Sequence, residues 1–442
     1  MVFLFCDKFF RRLLLAIVFL LPIHTTYIFS FSPESSQYTR IAFSLLDFCI
    51  LSAFIVSIPL ILQKRITFFL PRYILVPFLF FVLSVFASFF FAAHTDIALL
   101  SLAHVCEGAA LFLIFATGYV PKEKIALALT AAGLLQTFFA VQQFFGQEIF
   151  ANSWFGIAAH SAMTLGDSVV EGSGFRILRA YGSFPHPNML GAFQGVSFLC
   201  GLYLYSTAII RRQRIVLFIS SMLILFGLLI TFSRGAWFAL FFCSVSAALA
   251  VALIPRFRQR ISANYMFFFL AGVLAAVSIF TFVYWQPVSV RLGLQGNARL
   301  ETLSFEERTS YLANAFALIG THPFGVGIGQ YVPFFIDRDA DRGLRAPMYT
   351  YQPVHSHFVL LFTELGFFGF IFFLGFIFSL VLYVLKQGDW SSVAVMAFLF
   401  VAGLFDHYFW TFQSGMLLWW VASSFSIQSR IFQDPVPLTK SN

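Results

Sequence analysis

Charged side chains are scarce in this sequence, since Asp, Glu, Lys and Arg together make up only 10% of its 442 residues. Hydrophobic residues make up 60%, and the mean hydropathy is +0.87. A soluble globular protein does not carry so much apolar surface. Runs of about twenty apolar residues, the length that crosses a bilayer as a helix, recur along the whole chain. The composition therefore predicts one polytopic membrane domain over residues 1–442.

Cysteine is also scarce, and the five cysteines are widely spaced and odd in number, which argues against a disulfide framework or a cysteine metal cluster. The sequence has no internal repeat and no nucleotide-binding glycine loop. Its first apolar stretch follows basic residues, as in a signal peptide, but it lacks a small-residue cleavage pattern. We therefore expect a retained first helix.

Apolar windows, bounded by proline, glycine and charge, predict an all-α fold of about twelve transmembrane helices. The predicted spans are 12–31, 41–62, 73–93, 98–119, 124–145, 187–208, 214–232, 235–254, 264–286, 357–385, 391–410 and 412–428.

The distribution of cations predicts the orientation of these spans. With the N-terminus inside, 17 of the 27 Lys and Arg residues fall in cytoplasmic segments, and both termini are cytoplasmic. The net charge of +8 then reflects anchoring to anionic lipids and gives no reason to expect nucleic acid as a partner. Two long segments, 147–186 and 287–354, lie on the external side, where we expect the function to reside.

Every cation predicted to be external is an arginine. A guanidinium group suits bidentate phosphate binding better than an ammonium group does, although each of these arginines could instead pair with an acid of its own loop. The ten are Arg40, Arg176, Arg179, Arg234, Arg291, Arg299, Arg308, Arg338, Arg342 and Arg345.

Arg234 stands out because the motif "TFSRGAWFAL" holds it between two apolar runs, at the membrane surface. A charge at that depth needs a partner, so a functional role competes with simple snorkelling. The stretch "RAYGSFPHPNMLGAF" brings His186 and Asn188 to the same level, with Asn188 as the expected N-cap of a helix.

In the large external loop, "FEERTSYLANAFALIGTHPFGVGIGQY" predicts a helix over 306–319 with Arg308 near its start, followed by a glycine-rich turn. No P-loop lysine follows that turn, so it is not a phosphate loop. The nearby "DRDAD" lacks the central glycine and terminal glutamate of a calcium loop.

His355 and His357 stand where this loop enters a span. Two residues apart on a helix, they point about 200° from each other and cannot hold one metal from the same face. His355 is a candidate general base, because a neutral imidazole can accept a proton from a sugar hydroxyl. The alternative is a capping or hydrogen-bonding role.

The stretch "HSHFVLLFTELGFFGF" resembles the histidine signature of the O-antigen ligase and Wzy-type polymerase superfamily. That signature has His, then Asn, Ser or Gln, nine residues, a Gly, and a second Gly three residues later. Here these are His355, Ser356, Gly366 and Gly369. The entry motif that begins at Arg179, the Ser-Arg-Gly turn and the Arg-led helix with its Pro, Gly, Gly turn fit the same family in the same order.

The resemblance implies a GT-C-like membrane fold with a large periplasmic loop between helices 9 and 10, in the bacterial inner membrane. It implies a metal-independent inverting glycosyltransferase without a cofactor, with undecaprenyl-pyrophosphate-linked glycan as donor and lipid A core or a growing glycan as acceptor. His355 would act as base, and Arg308 and Arg234 would hold the pyrophosphate. Substrate-binding candidates are Arg179, Asn188 and Ser356.

Several alternatives stay open from the sequence. Within the family these are O-antigen ligation, polymerisation of O-antigen or exopolysaccharide, and protein O-glycosylation. A small-anion transporter of the bicarbonate type is the alternative from another class, although Asp47 and Glu107 look like unpaired carboxylates rather than a transport site. Asp406 and His407, in a short outward turn, could assist, and His357 leaves open which histidine faces the site.

Overall fold

The computed structural model describes residues 2–29, 36–255, 263–294, 299–344 and 346–428. Six cations used in the orientation argument lie outside these ranges: Arg256, Arg258, Arg260, Arg345, Arg430 and Lys440.

The described residues fold mainly into helices. In chain order these are α1 (Val2–Leu20), α2 (Leu45–Leu62), α3 (Arg72–Phe89), α4 (Thr95–Ala116), α5 (Lys122–Gly146), α6 (Pro187–Thr207), α7 (Arg211–Leu229), α8 (Arg234–Leu253), α9 (Ala263–Val283), α10 (Trp285–Arg291), α11 (Arg299–Thr321), α12 (Tyr331–Asp341), α13 (His357–Gln387), α14 (Trp390–Phe405), α15 (Tyr408–Thr411) and α16 (Gln413–Phe425).

Within the described ranges, nine helices, α2 to α9 and α13, are long and apolar enough to cross a membrane. The prediction of an all-α polytopic membrane protein is therefore confirmed in its class. The count of twelve stays a prediction, because α1 carries several charges and α14 and α16 have only 16 and 13 residues.

The N-terminal helix lies earlier in the chain than the predicted span 12–31. It ends at Leu20, shortly before Pro22, whose ring and missing N–H do not suit a helix interior. The chain then forms β1 (Thr26–Ile28), which pairs antiparallel with β2 (Ala42–Ser44).

The two long segments predicted to be external contain secondary structure of their own. The first holds two small antiparallel pairs: β3 (Glu148–Ile149) with β4 (His160–Ser161), and β5 (Val169–Gly172) with β6 (Phe175–Leu178). The second is mostly helical, and α11 extends well beyond the predicted 306–319 at its N-terminal end.

Helix α6 lies at the centre of the bundle, and 83% of its most apolar window is buried inside the protein. It packs against α5 and α7, and its first turn therefore has a fixed position. A second packing centre joins α3, α4, α13 and α16 through aromatic rings, among them Phe112, Phe376 and Trp420.

Helix α13 is kinked at Gly366, whose φ of 69° and ψ of −172° are not helical. A β-carbon there would lie 2.2 Å from the carbonyl carbon of Phe324. The amides of Val326 and Gly327 donate to the carbonyls of Thr363 and Glu364, so the glycine-rich turn docks on the kink. The glycines of this turn thus allow backbone to approach backbone.

Candidate active site

Arg234 is the first residue of α8 and follows a tight turn after α7. The Ser233 hydroxyl caps the helix by accepting from the Ala236 amide, and this fixes the backbone at Arg234. The Arg234 side chain is 39% exposed, and its Nη1 lies 2.9 Å from Oε2 of Glu301 on α11.

Arg308 lies two helical turns beyond Glu301 on the same face of α11. Among the residues that the structure describes, it has no ion-pair or hydrogen-bond partner. It is half-buried and lines a cavity together with Arg234. Its guanidinium group is therefore available to a ligand.

The cavity has a volume of about 810 Å³ and lies between α8, α11, α13 and α14. One part of its lining is polar and basic: Arg234, Arg308, Thr309, His355 and Ser356. The remainder is mainly apolar: Phe238, Phe305, Leu312, Phe316, Val359, Leu404 and Phe405. Such a lining suits a ligand with an anionic group and a hydrocarbon chain.

His355 enters the cavity just before α13, which Ser356 caps through its hydroxyl. His355 is 23% exposed, and its Nδ1 is buried 3.6 Å from Oδ1 of Asp406. This is an ion-pair distance slightly longer than a hydrogen bond, and catalytic hydrogen bonds often shorten only when substrate binds. The other nitrogen, Nε2, takes no part in this contact.

Asp406 is buried and held on both oxygens. Its Oδ1 accepts from the His407 amide at 2.9 Å, and its Oδ2 accepts from Asn188 Nδ2 at 2.8 Å. Burial by itself would raise the pKa of Asp406, but the neighbouring His355 and His407 hold that pKa well below its ordinary value. Asp406 is therefore an anion beside the candidate base.

Asn188 connects Asp406 to Arg179. Arg179 Nη2 donates to Asn188 Oδ1 at 2.6 Å, and Arg179 Nε donates to the Thr231 carbonyl at 2.7 Å. Burial, aided by the charge of Arg291, lowers the pKa of Arg179. Arg179 lies behind the cavity rather than in its lining, so its contacts orient Asn188.

The N-cap of α6 is His186, and the expectation that Asn188 caps this helix is wrong. His186 Nδ1 accepts from the Asn188 amide at 3.1 Å, and its Nε2 lies 3.1 Å from the Ser168 hydroxyl. Burial lowers the pKa of His186 well below its ordinary value. The Asn188 side chain is therefore free to bridge Arg179 and Asp406.

His357 does not line the cavity. Its side chain is buried among Phe358, Phe373, Trp410 and Trp419, and neither ring nitrogen has a hydrogen-bond partner in the described part of the chain. Its backbone amide donates to the Asp406 carbonyl at 2.9 Å. Of the two histidines, His355 is the one that lines the cavity.

Two features of the site went beyond sequence reasoning. The sequence offered Asp406 as a residue that could assist, but it did not indicate the contacts of Asp406 with His355 and Asn188. Nothing in the sequence indicated that Glu301 belongs to the site. Its contact with the buried Arg291 fits the alternative that external arginines pair with acids of their own loop.

Two groups of side chains in the described residues are close enough to hold a metal ion. The ligand atoms of His355, Asp406 and His407 lie within 4.8 Å of one another, and so do those of a second group, Asp47, His104 and Glu107. The spacing argument against His355 with His357 does not apply to the first group, because its other ligands come from a different turn. Metal independence stays a prediction.

Asp47 and Glu107 have partners, and the expectation that they are unpaired is wrong. The Gln413 amide donates to both carboxylates, and His104 Nε2 lies 3.4 Å from Asp47 Oδ1. Gln413 belongs to α16, more than 300 residues further along the chain. The sequence could not show that it closes this cluster.

Residues 219–374 match the family model described as O-antigen ligase. The matched range contains the Arg234 turn, the α11 helix with Arg308 and the His355 signature, while the entry motif that begins at Arg179 lies before it. No curated protein matches the chain.

Proposed function

We propose that this protein catalyses a glycosyl transfer at the periplasmic face of the bacterial inner membrane. Its residues 219–374 match the O-antigen ligase family model, which represents the O-antigen ligase and Wzy-type polymerase superfamily. The donor is a glycan on undecaprenyl pyrophosphate, and the acceptor hydroxyl belongs most simply to lipid A core. The observation that carries this proposal is one cavity lined by a carboxylate-supported histidine, two arginines and apolar side chains.

His355 acts as the general base in this proposal. Its Nε2 takes the proton of the acceptor hydroxyl while the acceptor oxygen attacks the anomeric carbon from the face opposite the leaving group. Asp406 holds the imidazole by Nδ1 and stabilises the positive charge that the ring acquires. Asn188 and Arg179 hold Asp406 in place.

Arg234 and Arg308 receive the leaving group. As the bond between the anomeric carbon and the phosphate oxygen breaks, its electron pair passes to undecaprenyl pyrophosphate, and two guanidinium groups stabilise the developing charge. The apolar walls of the cavity suit the polyprenyl chain, which can then arrive by lateral diffusion. Ser356 caps the N-terminus of α13 and lines the polar part of the cavity beside His355.

A deletion strain complemented with variants tests the base. Lipopolysaccharide gels should show loss of capped long-chain material with His355→Ala and normal material with wild type. The matched control is His322→Ala, which removes an exposed histidine at the C-terminal end of α11. Normal capping by His355→Ala, at equal protein level, would refute the proposed base.

The same gels distinguish the acceptors. Loss of all long-chain capping with accumulated lipid-linked polymer indicates ligation, whereas capping by single repeats indicates polymerisation. Purified protein treated with EDTA should retain full transfer activity. Loss of activity, restored by a divalent metal, would instead show a metal requirement, with the group of His355, Asp406 and His407 and the group of Asp47, His104 and Glu107 as the candidate sites.

A further inference from the structure

Glu301 joins two arginines of very different exposure. One oxygen contacts Nη1 of Arg291, which is only 9% exposed, and the other lies 2.9 Å from Nη1 of Arg234, which is 39% exposed. Arg291 Nε also donates to the Phe232 carbonyl at 3.0 Å. The Arg291 half of this bridge is thus fixed, while the Arg234 half borders the cavity.

A carboxylate presents two oxygens to a guanidinium group, and a phosphate can present two of its oxygens in the same bidentate way. Two anions therefore compete for Arg234: the Glu301 carboxylate, which is always present, and a diphosphate bound in the cavity. Arg308 has no such competitor in the described chain. The two arginines of the cavity consequently differ, although the sequence gives them the same charge.

We infer that the Glu301 carboxylate competes with the diphosphate for Arg234 and so promotes release of the diphosphate product. This rests on the proposed function, because it supposes a diphosphate leaving group. Once transfer is complete, the product still carries the group that the arginines bind best, and tight product binding would limit turnover. Arg308 binds only the diphosphate, whereas Arg234 is shared between the diphosphate and Glu301.

The opposite role is a positioning one, in which Glu301 orients Arg234 for the donor. The two roles predict opposite signs. Removal of a competitor strengthens diphosphate binding and slows turnover, whereas removal of a positioning group weakens binding. A purely structural role changes the melting temperature without changing the affinity of the folded protein.

The experiment measures binding of farnesyl diphosphate to the detergent-solubilised full chain by calorimetry, together with steady-state transfer. For Glu301→Gln we expect a Kd lower by about tenfold and a lower kcat. The matched control, Glu306→Gln, makes the same chemical change at an exposed position of α11 and should leave both values unchanged.

A second variant, Arg291→Met with Glu301→Leu, removes one positive and one negative charge and leaves the net charge unaltered. It also avoids a buried unpaired arginine. We expect tighter binding here too, because Arg234 again loses its competitor.

Weaker or unchanged binding in both variants would overturn the inference, and so would tightening confined to Glu301→Gln, which would be an effect of net charge. A failure of the proposed function looks different. In that case wild-type protein binds no farnesyl diphosphate, or Arg308→Ala binds it as well as wild type does.

Discussion

Asp406→Asn is the substitution that most directly tests how the base is supported. The two oxygens of Asp406 face donors on both sides, the His407 amide and His355 on one and Asn188 Nδ2 on the other. An asparagine must turn its NH₂ toward one of these donors. Asn188 cannot rotate to compensate, because its oxygen accepts from Arg179.

The size of the effect follows from two contributions. A buried donor that faces another donor costs about 1–3 kcal/mol. Loss of the carboxylate charge also removes the stabilisation of a protonated His355. At an effective dielectric constant of about 20, two charges 4 Å apart interact by about 4 kcal/mol, which is an upper limit because His355 is partly exposed. We expect a barrier higher by about 2–4 kcal/mol, on the order of 30- to 1,000-fold in rate.

The assay is transfer by purified protein in lipid vesicles, with kcat and the donor KM measured separately. The rate should fall with little change in donor KM, because the arginines are untouched. The control is Asp337→Asn, which disrupts a surface pair with His94 of similar chemistry, Nε2 to Oδ2 at 2.8 Å. Transfer by Asp406→Asn within threefold of wild type, at equal thermal stability, would refute the assigned role.

Three further substitutions test the cavity and the kink. Gly366→Ala should destabilise the protein by at least about 2 kcal/mol in thermal unfolding, because the dihedral angles at this position suit only glycine. The control is Gly375→Ala on the same helix, which should be tolerated because the added β-carbon would make only an ordinary van der Waals contact. His357→Phe should fold and retain activity on gels, since the ring makes no hydrogen bond in the described chain; loss of activity would give that ring a chemical role. Arg308→Lys should lower transfer by about tenfold because the bidentate fork is lost, and an unchanged rate would contradict phosphate binding there.

Sequence reasoning succeeded where a local signal was enough. Apolar run length reports the membrane spans because the hydrocarbon core sets the required length. The lone Arg234 between apolar runs pointed to the cavity because an isolated charge at that depth needs a partner. The expected separation of His355 from His357 assumed that both lie on a helix, whereas α13 begins at His357 and His355 precedes its N-cap, Ser356.

What the sequence could not provide was pairing between distant segments. Asp406 reaches Asn188 across 218 positions, and nothing in the local pattern of either residue names the other. The role of Gly366 was also not evident from the sequence, where it is only a member of the histidine signature. Its dihedral angles and its close approach to Phe324 show a kink on which the glycine-rich turn docks.

His355 and Arg234 are contacted by two different sets of side chains. His355 depends on Asp406, Asn188 and Arg179, which join the entry of α6 to the turn after α14.

Arg234 is contacted instead by Glu301, which also contacts Arg291 and so joins α8 to α10 and α11. The two sets still influence each other, because Arg179 and Arg291 donate to the adjacent carbonyls of Thr231 and Phe232, and the charge of Arg291 lowers the pKa of Arg179. Paired substitutions that remove charge from both sets should therefore show a coupling free energy, although a smaller one than pairs within one set, whose side chains are in direct contact.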